Sequence, residues 1–158
     1  MFKINRRTDY AVRVMLCLAR HESGRRMPTQ MVQREMQIPS PFLRRIIADL
    51  GRVGLIRTYK GPNGGVELGL PAESVQLRHI WEAIEGPLLI SDCVNGEKAC
   101  PQAPHCPVNQ CWNRLQRSVL KELEATSLAE LAKETGCLPS ENSIPALTEK
   151  LFCPTASN

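Results

Sequence analysis

The chain has 158 residues, a formal net charge of +4, 42% hydrophobic and only 4% aromatic residues, and seven cysteines. That suits one ordinary domain, or a small domain with an added arm, and excludes the fibrous and intrinsically disordered classes. The charge is unevenly divided. Residues 1–70 carry 13 Lys/Arg against 5 Asp/Glu, net +8, and residues 71–158 carry 7 against 11, net −4, so the first half has the electrostatic footprint of a nucleic-acid binder.

The N-terminus has no apolar leader-like stretch and no run is long enough to span a bilayer, which points to the cytoplasm and to no membrane partner. Residues 8–22 predict a first helix, with Thr8 as N-cap and Asp9 as an acid in the first turn. Ala11, Met15 and Leu18, flanked by Val14 and Cys17, form its apolar stripe, and Cys17 reads as a small core residue. Ser23-Gly24 ends this helix, and Pro28 opens a second over about 28–36. That helix stops before Ile38-Pro39-Ser40, where Ser40 or its neighbour caps a third over 41–50. Leu43, Ile46, Ile47 and Leu50 bury one face of it, and Arg44, Arg45 and Asp49 lie off that face. A helix, a tight turn and a basic second helix make a helix-turn-helix, whose second helix enters the major groove. Ser40, Pro41, Phe42, Arg44 and Arg45 are its candidate groove residues. Arginine bonds guanine edges and phosphates alike, so both roles stay open.

Leu55 to Tyr59 and Val66 to Leu70 read as strands, joined by a loop whose Asn63-Gly64 is a strong hairpin signal. The hairpin is a wing with Lys60 and Asn63 at its tip, placed to meet an adjacent groove or phosphate. Leu77, Ile80, Trp81 and Ile84 predict an amphipathic helix over 76–85, stopped at Gly86-Pro87.

Four of the seven cysteines then fall within nineteen residues, Cys93, Cys100, Cys106 and Cys111, interleaved with Gly and Pro. Such a loop cannot hold itself by packing. Thiolates gripping an iron–sulfur cluster, zinc or copper would hold it, and in a reducing compartment this is preferred to a disulfide framework. The gaps of six, five and four residues fit neither zinc-finger pairs nor the ferredoxin run.

Pro107 opens a further helix in which Trp112, Leu115, Val119 and Leu123 recur near an a/d seam. With little core left to cover, the same helix of a second subunit is its expected partner, giving a homodimer on a palindromic DNA site. Ser127 and Glu130 form a capping box for a helix over 128–134. The tail after Gly136 is Pro- and Ser-rich and reads as loosely ordered, with Cys137 and Cys153 as spare thiols. The expected fold is therefore mainly α: a winged helix-turn-helix over 1–86, a cysteine-rich loop over 87–108, a dimerisation helix and short helix over 109–135, and the tail over 136–158.

Thr8-Asp9-Tyr10-Ala11-Val12-Arg13, the wing 60–65 and three loop cysteines ahead of a helix containing Trp112 together resemble the IscR/NsrR family of bacterial iron–sulfur transcription regulators, over about residues 3–134. The resemblance implies a homodimeric winged-helix regulator, a repressor of stress, iron or cluster-assembly genes. Its affinity for DNA would follow the state of a two-iron or four-iron cluster sensing nitric oxide, redox or iron status. It also implies Cys93, Cys100 and Cys106 as cluster ligands. IscR-like members carry a histidine three residues after the third cysteine, where this chain has Asn109, a poor ligand. NsrR-like members carry an N-terminal aspartate that reaches the partner subunit's cluster, and Asp9 stands at the matching place. The first cysteine gap is slightly longer than the family's. With a helix starting at Pro107, Cys111 points about 140° away from Cys106 around the axis, and an amide such as Asn109 is a weak ligand beside thiolates. The resemblance favours Asp9 as fourth ligand, with Cys111, His105 and Asn109 as the alternatives. The competing readings are a metal-free thiol redox switch and a zinc-stabilised winged-helix interaction module. No Ser/His/Asp arrangement, phosphate loop or carboxylate pair calls for an enzyme.

Overall fold

A computed structural model of the chain describes residues 4–21, 25–94 and 105–134. Cys100, Cys137, Cys153, the Ser23-Gly24 stop and the tail 136–158 lie outside the described residues. The helices are α1 (Arg6–Arg20), α2 (Thr29–Met36), α3 (Ser40–Arg52), α4 (Leu77–Glu85), α5 (Pro107–Ala125) and α6 (Leu128–Lys133). Two strands, β1 (Ile56–Tyr59) and β2 (Gly65–Leu68), follow α3, and short 3-10 turns occupy Ala72–Ser74 and Asp92–Val94. This is the expected winged helix: mainly helical, with one two-stranded antiparallel sheet.

The core forms around α1, which packs against α2, α3, α4, α6 and β2. Its apolar positions recur at helical spacing, so Ala11, Val14, Met15 and Leu18 are buried along one face. They meet Leu43, Ile46 and Leu50 of α3, Ile80 of α4 and Leu128 of α6, all almost completely removed from solvent. Burying a side chain of this size contributes about 1.5–3 kcal/mol. Ile47, expected on the same face of α3, is only partly buried.

Thr8 is not the cap of α1. The helix begins at Arg6, and the Asn5 side chain accepts the Arg7 N–H at 3.2 Å. Thr8 instead lies inside the first turns, 3% exposed, and its Oγ1 donates to Glu85 of α4 at 2.5 Å. A threonine reads as a cap in sequence because its hydroxyl competes for backbone groups, but here a polar partner from another helix takes it. Ser40 is likewise the first residue of α3 and not its cap. Pro39 precedes the helix without a side-chain cap bond. The turn between α2 and α3 is closed by Gln37 in the left-handed region, φ 51°, a conformation few non-glycine residues adopt.

The wing pairs Ile56 with Leu68 through Tyr59 with Gly65, leaving residues 60–64 as its tip. A third segment joins it, because Met27 exchanges two backbone hydrogen bonds with Val66, at 2.8 and 2.9 Å. The wing is thereby anchored to the chain just ahead of α2. After α5 the chain returns to the winged-helix body. Leu128 N–H donates to Val75 at 2.7 Å and Leu77 N–H donates to Thr126 at 3.0 Å, which seats α6 in the core. None of the helices among the described residues is long and apolar enough to cross a membrane.

Candidate DNA-binding surface and cysteine centre

The first turns of α3 carry Pro41, Phe42, Arg44 and Arg45 on the outer surface, with Ser40 half-buried. The two arginines are exposed because the Leu43–Ile46–Leu50 stripe faces inward and positions one and two residues away turn outward at 100° per residue. Phe42 is 42% exposed, yet its ring meets Tyr10 of α1 edge-on, 5.8 Å between centroids. The Arg13 guanidinium lies 5.8 Å over the other partner, Tyr10, and pairs with Asp9 at 2.8 Å. Further along α3, Asp49 takes Arg7 of α1 and Arg52, the latter at 2.5 Å. The outward helix is thus fixed to the start of α1 at both ends. The Asp9–Arg13 and Asp49–Arg52 pairs follow helical spacing, but the links between α1 and α3, Tyr10–Phe42 and Arg7–Asp49, have no periodic signature in the sequence.

Lys60 and Asn63 are exposed at the tip of the wing. The base of the wing is set by a charged stack. Arg26 lies 3.6 Å over the Tyr59 ring, the Tyr59 hydroxyl donates to Glu67 at 2.6 Å, and Arg26 pairs with Glu67 at 3.8 Å. Glu67, 8% exposed, is a buried carboxylate whose oxygens are met by both of these partners, as a buried polar group requires.

Of the loop thiols, Cys93 sits in the turn Asp92–Val94 and Cys106 is the residue that caps α5. Both are partly exposed and free, and Cys111 is free and exposed on α5. The Cys93 sulfur lies 3.1 Å from Ser91 Oγ. Asn109 holds the arrangement together: its amide donates to the Cys93 carbonyl at 2.6 Å, and its side-chain oxygen accepts from Asn113 at 2.8 Å. The first turn of α5 is therefore tied to the Cys93 turn through the Asn109 NH2, while the amide oxygen is engaged within α5 by Asn113. Ile90 N–H adds a bond to Gln116 at 3.1 Å. His105 is exposed just ahead of Cys106. Asp9 lies on α1, its side chain 48% exposed. Cys17 is buried on α1: burial first, then the negative charge of Glu35, push its thiol up to about 12, so it holds its proton at neutral pH.

A family model described as Rrf2, iron-dependent transcriptional regulator, matches residues 4–134. The chain belongs to the Rrf2 family. Rrf2 proteins are DNA-binding transcription regulators and not enzymes. Among solved structures, the Rrf2 chain is 22% identical to CymR (YrzC), the global cysteine regulator of B. subtilis, with a TM-score of 0.69 over 85% of this chain and 99% of that one. It is 26% identical to the oxidized form of Staphylococcus aureus CymR, with a TM-score of 0.65 over 84% and 97% of the two chains. It is 21% identical to IscR of T. potens, with a TM-score of 0.67 over 84% and 87%.

If α3 reads DNA, Arg44→Ala or Arg45→Ala each weakens specific binding by about 1–3 kcal/mol, more than Arg20→Ala or Arg25→Ala does. Fluorescence anisotropy on the operator measures this, and equal losses at all four positions would remove α3 from the reading role.

Proposed function

We propose that this Rrf2 protein is a homodimeric repressor whose operator affinity is set by an iron–sulfur cluster, held by Cys93, Cys100 and Cys106 with the partner subunit's Asp9 as fourth ligand. The observation that carries the reading is the Asn109 tie, which fastens the Cys93 turn to the first turn of α5, the helix that Cys106 caps. Two free, partly exposed thiols are thereby held at the two ends of one loop, and soft sulfur donors of this kind suit an iron–sulfur cluster. When bound, the cluster supplies a charge and an integrity that change with nitric oxide, redox or iron status.

The chain's own residues supply the link to DNA. Arg13 spans the Asp9 carboxylate and the Tyr10 face, and Tyr10 supports Phe42, two residues from Arg44. A change in where Asp9 points therefore alters the support beneath the reading helix. Asp9 suits an exchangeable role, since a carboxylate is a harder and weaker ligand than thiolate for such a site and this one stands half-open to solvent.

The α5 surface supports the dimer. Within the chain none of its residues is buried. Val108, Trp112 and Leu115 are 54%, 37% and 44% exposed on one stripe of a helix of 19 residues, about 28 Å long. The exposed stripe itself runs about 10 Å along the helix; an exposed apolar patch of this kind marks a contact surface, and a second copy brings a matching one.

A metal-free thiol switch is the second reading, favoured by the exposed Cys111 and by the likeness to a CymR described in an oxidized form. Anaerobic reconstitution with absorption spectra and iron, sulfide and zinc assays separates the two. The cluster reading expects loss of iron and sulfide in Cys93→Ser and Cys106→Ser, a changed spectrum in Asp9→Ala and an unchanged one in Cys111→Ser. Wild-type chain that takes up no iron, or a change in Cys111→Ser with none in Asp9→Ala, contradicts it. For the dimer, Leu115→Glu with Val119→Glu puts charge into an apolar seam, and sedimentation is expected to report a monomer. A double variant that stays dimeric would assign the stripe elsewhere.

A further inference from the structure

The geometry points to a second metal site, for zinc, made by Cys17 and His21 of the α1 end and Glu35 of α2. The spacing of four residues puts Cys17 and His21 on one side of the α1 end, and α2 brings Glu35 across from them. Glu35 Oε2 lies 3.4 Å from the Cys17 sulfur and 3.4 Å from His21 Nε2. All three ligand atoms lie within 4.8 Å of one another, and this is the group of three such side chains found among the described residues. An N···O distance of 3.4 Å is long for a hydrogen bond. It is close to the spacing of two ligand atoms on one tetrahedral zinc, about 3.3–3.5 Å for bonds of about 2.0–2.3 Å.

The donor chemistry selects the ion. Thiolate, imidazole and carboxylate together are a zinc set, whereas hard magnesium and calcium want oxygen alone. The Met27 sulfur stands 3.5 Å from Cys17, but a thioether is a poor zinc ligand. It serves as the apolar wall, and the fourth position opens to solvent past His21 and Glu35, whose side chains are 36% and 38% exposed. Binding balances in charge and protons: the Cys17 proton leaves to water as the sulfur–zinc bond forms, and one thiolate and one carboxylate neutralise the dication. That neutrality matters, because Arg25 and Arg26 line the hollow beside His21 and would repel an uncompensated cation.

The site also fills a mechanical need. Helix α2 has eight residues, no side-chain cap and one buried residue, Val32, yet it is the first helix of the helix-turn-helix. A zinc ion joining it to α1 would fix the angle at which α3 is presented, independently of anything bound at the cysteine loop.

The test uses the full chain with every cysteine except Cys17 changed to Ser, so that the loop contributes no thiol. Titrated with cobalt(II) and then zinc under reducing conditions, this protein is expected to take one metal equivalent, with a thiolate-to-cobalt charge-transfer absorption that zinc removes. Glu35→Gln and His21→Ala, at partly exposed positions that leave the core intact, are expected to weaken binding by more than about tenfold, at least the loss seen when even an outer partner of a metal is removed. Zinc is expected to raise Tm in the parent and not in these variants. Cobalt bound without the thiolate band, or with equal affinity in the parent and both variants, overturns the assignment.

Discussion

Three consecutive residues at the start of α1 hold three different parts of the molecule. Arg7 pairs with Asp49 of α3, Thr8 donates to Glu85 at the end of α4, and Asp9 turns outward to Arg13. Successive residues on a helix point 100° apart, so one turn can address three directions, and the rest of the structure depends on this junction. Helix α3 is the outward helix of the helix-turn-helix. Helix α4 leads directly into the segment that carries Cys93. A displacement at the start of α1 is felt by both. The Thr8 bond is enclosed, and breaking it would strand a hydroxyl in the core at a cost of about 1–3 kcal/mol.

Charge is distributed to match. The basic excess of the first 70 residues is displayed at Arg44, Arg45 and Lys60, which are exposed, while other basic residues serve the scaffold. Arg7 and Arg52 hold Asp49, Arg26 lies on Tyr59, and Arg78 of α4 pairs with Glu82 at 2.7 Å and with Glu124 of α5. The net charge of the first 70 residues thus includes Arg7, Arg26 and Arg52, which are already engaged inside the molecule. Most of the exposed pairs contribute little stability each, but they hold these arginines in place on the scaffold while Arg44 and Arg45 stay on the outer surface of α3.

The fold was legible wherever apolar spacing or turn chemistry is local. Leu43, Ile46 and Leu50 announced α3, Asn63-Gly64 announced the hairpin, and Ser127 with Glu130 formed the capping box they spell, Glu130 N–H donating to Ser127 Oγ at 3.2 Å. What the sequence concealed was long-range polar pairing. Thr8 read as a cap because nothing local signals that Glu85, 77 residues on, takes its hydroxyl. Asn109 read as a weak ligand substitute, whereas its amide is the tie between the Cys93 turn and α5. Met27 gave no strand signal, since a two-bond bridge to Val66 leaves no alternation behind. Cys17 read as core, which it is, but its approach to Glu35 joins residues 18 apart and has no motif. Sequence periodicity reports which face is buried; it does not report which polar group on another element that face will meet.

The proposed regulation rests on one carboxylate serving two masters, Arg13 in its own chain and the cysteine site of a partner subunit. The most direct measurement is operator affinity of cluster-loaded and cluster-free protein, taken anaerobically for wild type and for Asp9→Ala. Coupling between two sites in a protein is commonly about 5–150-fold. A ratio in that range is expected for wild type, falling to near one in Asp9→Ala while the three cysteines still hold iron. An Asp9→Ala protein that keeps the wild-type ratio would contradict the link from the cysteine site through Asp9, Arg13 and Tyr10 to the reading helix.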